Sequence, residues 1–323
     1  MNILGCWVFK MRLIKICQIC GNKRFNFLLK QYDKNLNIQR VFSLSKCSVC
    51  GALFLNPQPS YKELEEHYSS EKYYSLKKIQ TKEESKKTRL KLFLYNVYFN
   101  QEKKNLFLRI LLPPIKFIVR GTIINGQKNL LDIGCGSGQF LYEMKDKGMR
   151  VYGVEPGDFD REGNIKYNLN IKKRGLLKAR YPKEYFDLIT MNHVLEHLSE
   201  PKKEIHEVHR ILKKHGTFIL GIPNTNSLAF SIFKKNWYQL DIPRHLWNFS
   251  NKNLKLFLEK NGFNIKKIRY NSRPSQFSVS LEYKLGIKNR ILEQLLNIIF
   301  LPLTWLVNSL KIGDQIEVWC VKK

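Results

Sequence analysis

The stretch Asn129-Leu130-Leu131-Asp132-Ile133-Gly134-Cys135-Gly136-Ser137-Gly138-Gln139-Phe140 decides how the chain is read. Residues 130–133 form a short apolar run with the character of a buried parallel strand. The run breaks into three glycines at alternate positions, Gly134, Gly136 and Gly138. A helical pattern follows, with Phe140, Leu141 and Met144 apolar and Gly148 as its stop. Strand, glycine turn and helix, in that order, is how an open α/β sheet lets a ligand approach its backbone. Glycine permits the dihedrals such a turn needs and leaves no side chain in the way.

The spacing narrows the reading. A dinucleotide fingerprint needs its third glycine where this chain has Gln139. Here the pattern is Gly-x-Gly-x-Gly, with an acid, Asp132, two residues ahead of the first glycine. On these residues the stretch resembles motif I of class I S-adenosylmethionine (SAM) methyltransferases.

Working outward, residues 150–154 alternate as a second strand and end at Glu155-Pro156. An acid there is placed to accept both hydroxyls of a ribose. A polar helical stretch near 160–168 and a third strand with its turn at 171–177 follow, putting Leu176 or Leu177 against an adenine. Residues 185–192, Tyr-Phe-Asp-Leu-Ile-Thr-Met-Asn, make a fourth strand that runs into His193-Val-Leu-Glu196-His197. That phrase resembles the Phe-Asp…Leu-Glu-His segment of small-molecule class I methyltransferases. The span 199–212 reads as an amphipathic helix with Ile205, Val208 and Ile211 inward. His206, His209 and His215 lie off that stripe and read as inert. Strands at 217–223 and 263–270, a helix at 253–261, a mainly helical insertion at about 275–312 and a last, antiparallel strand at 315–321 complete the pattern.

Ahead of this lies Cys17-x-x-Cys20 and then Cys47-x-x-Cys50, with Gly21 and Gly51 just behind each pair. Four thiolates satisfy tetrahedral Zn2+ without a water, which marks a structural site. Residues 25–29 and 41–44 read as short strands between the pairs. This is a zinc-ribbon pattern. Pro57-Gln-Pro59 ends it, and Ser60-x-x-Glu63 reads as a capping box opening a short helix. The expected division is therefore 1–58 as metal module, 59–124 as helical linker or cap and 125–323 as methyltransferase domain. Within the linker, 72–91 is charged, and 92–119 is apolar and aromatic around Pro113-Pro114. The latter is expected over the SAM edge of the sheet, or, at 107–112, against a membrane surface.

Lysine and arginine number 56 against 27 acids, a net charge of +29. That invites an anionic partner. The lysines are scattered and the chain is rich in Lys, Asn and Ile throughout, so the charge equally fits a compositional bias. The cysteine spacing suggests a reducing compartment and metal, not disulfides, and hence a cytoplasmic protein. Residues 3–9 lack the charge and cleavage site of a signal peptide. Residues 291–310 are apolar but interrupted by Glu293, Gln294, Asn297 and Pro302, a poor membrane span. A buried or partner-facing helix pair is the first reading there. An interfacial helix, peripheral at the inner face of a membrane, is the second.

The resemblance implies an α/β class I methyltransferase fold: a Rossmann-like seven-stranded sheet, last strand antiparallel, beside a small N-terminal zinc ribbon. It implies SAM as cofactor. Gly134, Cys135, Gly136 and Gly138 would lie along its methionine part, Asp132 would orient that part, Glu155 would hold the ribose, and Leu176 and Asn192 would complete the cradle. Residues 236–250 (Asn-Trp-Tyr-Gln-Leu-Asp-Ile-Pro-Arg-His-Leu-Trp-Asn-Phe-Ser) resemble the acceptor-side segment of methyltransferases acting on sugars and cell-surface polysaccharides. A hydroxyl acceptor needs a base, and histidine is the apt type. His245 is first choice, His193 second, and His197 third with a structural role preferred. The expected reaction is O-methylation of a sugar, nucleotide-sugar or lipid-linked glycan. Two other readings stay open: an RNA methyltransferase using the ribbon and basic surface, and a non-enzymatic zinc scaffold. Against the RNA reading, Asn192-His193-Val-Leu stands where base N-methylation uses Asn/Asp-Pro-Pro-aromatic. Oligomeric state is not legible.

Overall fold

The computed structural model describes residues 11–68, 78–79 and 128–323. The expectations for 72–91, 92–119 and the first ten residues fall outside these, apart from Lys78 and Ile79.

Two sheets organise the described residues. The larger has seven strands: β4 (Asn129–Ile133), β5 (Arg150–Val154), β6 (Asn170–Lys172), β7 (Phe186–Asn192), β8 (Leu212–Pro223), β10 (Phe263–Tyr270) and β11 (Gln315–Lys322). Their order is β10-β11-β8-β7-β4-β5-β6. β4 pairs in parallel with both β5 and β7, and β11 runs antiparallel to both β8 and β10. This is the expected topology. The order reverses direction at β4, so the crevice at its carboxyl end is the ligand position of an open α/β sheet.

The strands form where the sequence supplies apolar runs that are covered on both faces. Leu130, Leu131, Leu188, Ile189 and Met191 are fully buried. The helix Pro201–Ile211 starts on proline at its first turn and buries Ile205, Val208 and Ile211. β8 begins directly at Leu212, five residues earlier than its sequence pattern suggests, because Lys213 and Lys214 extend the strand beyond the core.

The smaller sheet is β1 (Phe25–Asp33), β2 (Ile38–Cys47), β3 (Leu53–Leu55) and β9 (Trp247–Asn248), in that order. β1 and β2 form a hairpin far longer than the short strands expected. β9 comes from the 236–250 loop of the large domain and pairs antiparallel with β3, Leu53 with Asn248 and Phe54 with Trp247. The ribbon therefore shares its sheet with the methyltransferase domain. Phe54 and Trp247 are fully buried, with ring centroids 5.0 Å apart. Full burial of a side chain such as Phe54 contributes roughly 1.5–3 kcal/mol. Leu55 N also donates to Leu246 O at 3.0 Å, and Gln18 Nε2 to Ser199 O at 3.1 Å. The capping box at Ser60 and Glu63 is present and opens the short helix Tyr61–Leu64.

Three helices fill the insertion before β11: Ser275–Leu285, Arg290–Ile299 and Leu301–Ser309. The helix 290–299 has no buried residue, so of the first reading, a buried or partner-facing pair, this helix does not fit the buried alternative. No single helix among the described residues is long and apolar enough to cross a membrane. The last two helices meet that test only together, across a 51° bend.

Candidate functional site

β4 ends in the glycine turn. Gly134, Gly136 and Gly138 all take positive φ, 69°, 54° and 85°. At Gly134 the need is also steric, since a Cβ would lie 2.3 Å from Val194 Cγ2. The turn therefore sits hard against the segment that follows β7. Gly134 N donates to Val154 O at 2.8 Å, tying the turn to the end of β5.

Both predicted acids flank this turn. Asp132 is buried beneath it and accepts from Thr190 Oγ1 at 2.6 Å. Glu155 stands at the end of β5. Its Oε2 accepts from Gly136 N at 2.9 Å and its Oε1 from Gly157 N at 2.9 Å. A carboxylate held by two backbone amides beside the glycine turn is oriented to receive a diol. Cys135 is buried within the turn, and burial together with Asp132 and Glu155 pushes its thiol well up, so it stays a neutral packing group. Gly153 escaped the sequence reading. A Cβ there would lie 2.7 Å from Cys135 Sγ, so it is what lets the turn settle onto β5. Leu176 is corrected: it is turned into the core at 2 % exposure, and Leu177, at 44 %, is the outward one. Asn192 ends β7 with its side chain over Gly221, where a Cβ would meet Asn192 Oδ1 at 2.2 Å.

His193 follows immediately, in the left-handed region at φ 54°. A non-glycine residue there is held by its surroundings, and such positions cluster at functional sites. His193 N donates to Gly221 O at 2.9 Å. Its Nδ1 lies 3.1 Å from Glu196 Oε1 and its Nε2 2.9 Å from Gln315 Nε2. The carboxylate accepts and the amide nitrogen donates, which assigns the proton to Nδ1 and the lone pair to Nε2. Its side chain is 24 % exposed. Glu196 is buried. Burial pushes its carboxyl up, but the His193 hydrogen bond and the nearby His197 and His245 rings outweigh this and hold it below its usual value. Sequence reading missed Glu196 as a partner, although its spacing three residues after His193 is the available signal.

His197 and His245 are packed together, ring centroids 4.7 Å apart. His197 Nδ1 donates to Arg244 O at 3.0 Å, with Tyr68 Oη at 3.1 Å. Burial, then the His245 ring, lower its pKa to about 4. His245 Nδ1 donates to Gln239 O at 2.8 Å. Its Nε2 lies 4.0 Å from Glu196 Oε1 and 3.9 Å from Asp241 Oδ2. The loop 236–250, expected to carry acceptor contacts with His245 as first-choice base, has both His245 and Arg244 buried. Arg244 commits its guanidinium to two carboxylates, Nη1 to Asp33 Oδ2 at 2.7 Å and Nε to Asp241 Oδ2 at 3.0 Å. Asp33 lies on β1 and is also paired with His67 Nδ1 at 2.7 Å. Burial alone would raise the Asp33 carboxyl, but His67 and Arg244 hold it down to about 2. A continuous set of buried charges thus runs from the ribbon hairpin to the neighbourhood of His193.

The four ribbon cysteines converge. Cys17 Sγ is 3.7 Å from Cys50 Sγ, and Cys20 Sγ is 3.5 Å from Cys47 Sγ. All four sulfurs lie within 4.8 Å of one another, and none is in a disulfide. Four metal–sulfur bonds of about 2.3 Å in a tetrahedron need sulfurs a little under 4 Å apart. Gly21 N and Gly51 N fold back onto Cys17 O and Cys47 O, forming the two matching knuckles. The donor set fits zinc. Glu196, His197 and His245 also offer three ligand atoms within 4.8 Å of one another.

Comparison with known proteins agrees with this geometry. The chain is 29% identical over 110 residues to the ubiquinone biosynthesis O-methyltransferase of Pseudomonas aeruginosa (strain UCBPP-PA14), covering 32% of this chain and 47% of that protein. It is 28% identical over 114 residues to the protein of that name in Saccharophagus degradans, with the same coverage. The chain spans about half the length of the curated relatives it matches. Among solved structures, a SAM-dependent methyltransferase from Archaeoglobus fulgidus has a TM-score of 0.42 at 23% identity, over 72% of this chain and 99% of that one. Geranyl diphosphate C-methyltransferase from Streptomyces coelicolor has a TM-score of 0.42 at 14% identity, over 69% and 84%. A family model described as a methyltransferase domain matches residues 100–268. That match takes in just over half of the chain, and the protein belongs to the class I SAM-dependent methyltransferase family, here joined to a four-cysteine, zinc-ribbon-like module.

Proposed function

We propose that the protein transfers a methyl group from SAM to a hydroxyl oxygen of a sugar, nucleotide-sugar or glycolipid, with His193 as the base. The observation that carries the reading is the closeness of the two halves of the chemistry. Val194 packs against Gly134, so His193 stands beside the turn that would hold the donor. The bound SAM would supply an activated methyl on a sulfonium. The glycine turn, Asp132 and Glu155 would bind and orient it, and positioning of this kind supplies much of the rate.

His193 would act through Nε2. Gln315 now caps that lone pair, and an acceptor hydroxyl taking Gln315's place would give up its proton there. The methyl would pass to that oxygen with the electron pair left on the donor sulfur, and Glu196, 3.1 Å from Nδ1, would stabilise the imidazolium. The acceptor class rests on the resemblance of residues 236–250 to sugar methyltransferases. The relatives' printed name, an O-methyltransferase, supports oxygen as the atom methylated. In this reading the ribbon carries one structural zinc, which holds the β1–β2 hairpin and Asp33 in place.

The test is His193→Asn, which tolerates the left-handed backbone and removes the base. Turnover, followed as S-adenosylhomocysteine released with a panel of sugar nucleotides, falls about 10²–10⁴-fold. SAM affinity by calorimetry stays unchanged. Full turnover in this variant removes His193 from the mechanism.

A further inference from the structure

The helical insertion carries an apolar surface that the methyl-transfer reading does not use. About half of the exposed large apolar side chains among the described residues fall between 285 and 310. On the helix 290–299, Ile291, Leu295, Ile298 and Ile299 recur at the spacing of one helical face, and Ile291, Ile298 and Ile299 are 71 %, 70 % and 67 % exposed. Across the 51° bend the surface continues through Leu301, Trp305 and Leu306. A contiguous apolar face of this kind marks an interaction site.

The surroundings decide what covers it. Lys284, Lys288 and Arg290 are exposed where the face begins, and Lys311 is exposed where it ends. Lys288 Nζ reaches Asn35 O at 3.1 Å and Lys34 Nζ reaches Tyr283 O at 3.4 Å, so the tip of the ribbon hairpin abuts the same part of the insertion. An apolar stripe edged by cations, with a tryptophan near its margin, matches the plane of an anionic bilayer: acyl chains for the isoleucines, phosphates for the lysines.

We propose that helices 290–299 and 301–309 dock the protein on an anionic membrane surface, lying in the interface and not crossing it. The inference stands on the surface itself and holds whatever the acceptor proves to be.

The test uses the full chain and vesicles of phosphatidylcholine, with and without 30 mol% phosphatidylglycerol. The wild type floats with the anionic vesicles and far less with the neutral ones, and raising the salt releases it. Ile298→Glu/Ile299→Glu lowers the bound fraction at least tenfold while SAM affinity and melting temperature stay at wild-type values. Lys284→Glu/Arg290→Glu lowers it several-fold by removing the charge term alone. Failure of the wild type to float overturns the proposal. Flotation unchanged in both variants also overturns it. A wild-type dimer by sedimentation that the isoleucine variant dissociates, with no vesicle binding, assigns the face to a second copy and overturns it as well.

Discussion

Asp132, Gly134, Gly136 and Gly138 reach their places within one strand and the turn that ends it, whereas Asp33, His67, Glu196, Asp241, Arg244 and His245 are drawn together from four separate stretches of the chain. The first group makes a cradle by leaving side chains out. The second makes a rigid block by packing opposite charges where water is excluded. Their failures should differ in kind. Damage to the cradle shows first as loss of the ligand, and damage to the block shows first as loss of stability.

The largest effect is expected at Arg244. Replacing it with alanine removes the guanidinium that Asp33 and Asp241 share, and breaking a buried pair costs about 3–5 kcal/mol. Chemical denaturation should register that loss. A variant as stable as wild type would mean that water reaches these carboxylates and that the block is not dry. Next comes Gly134→Ala. The added methyl meets Val194 and the backbone is held at positive φ, so SAM affinity should fall at least tenfold by calorimetry, and the same strain lowers the melting temperature. Normal SAM binding by the Gly134→Ala protein would place the cofactor elsewhere.

A further effect sharpens the comparison through pH. His197 has its pKa lowered from 6.5 to about 4 in the folded state, burial being the main cause. The unfolded chain therefore takes up the proton first. This stability is complete above pH 6.5 and is lost as pH falls toward 4, by about 3 kcal/mol at the acid end. His197→Gln should flatten that part of the stability profile and leave the region above pH 7 unchanged. A profile equally steep in the variant would move the titration to another group.

The same contrast explains what could be read before the fold was known. The glycine turn, both acids, the cysteine knuckles and the positions of the large sheet's strands are written in short contiguous patterns. Asp33 carries no local sign of its role, because nothing near it in sequence says that Arg244 will arrive. The charged 236–250 loop looks like a ligand loop for the same reason: a run of Asp, Arg and His reads alike whether it meets substrate or its own chain. Leu176 and Leu177 are adjacent and chemically identical, and only the helix phase separates the buried one from the exposed one. His193 could be placed by spacing, but its left-handed backbone and the Gln315 cap come from β8 and β11, far along the chain.

The pairing of β3 with β9 has one more consequence. During synthesis the cysteine knuckles emerge early, yet the outer edge of their sheet has no neighbour until Trp247 and Asn248 leave the ribosome. Through that interval Leu53, Phe54 and Leu55 would face water or a chaperone, and the head of the molecule matures only when most of its body has been made. Transplanting that head onto another catalytic domain would accordingly require the donor's two-residue strand to travel with it.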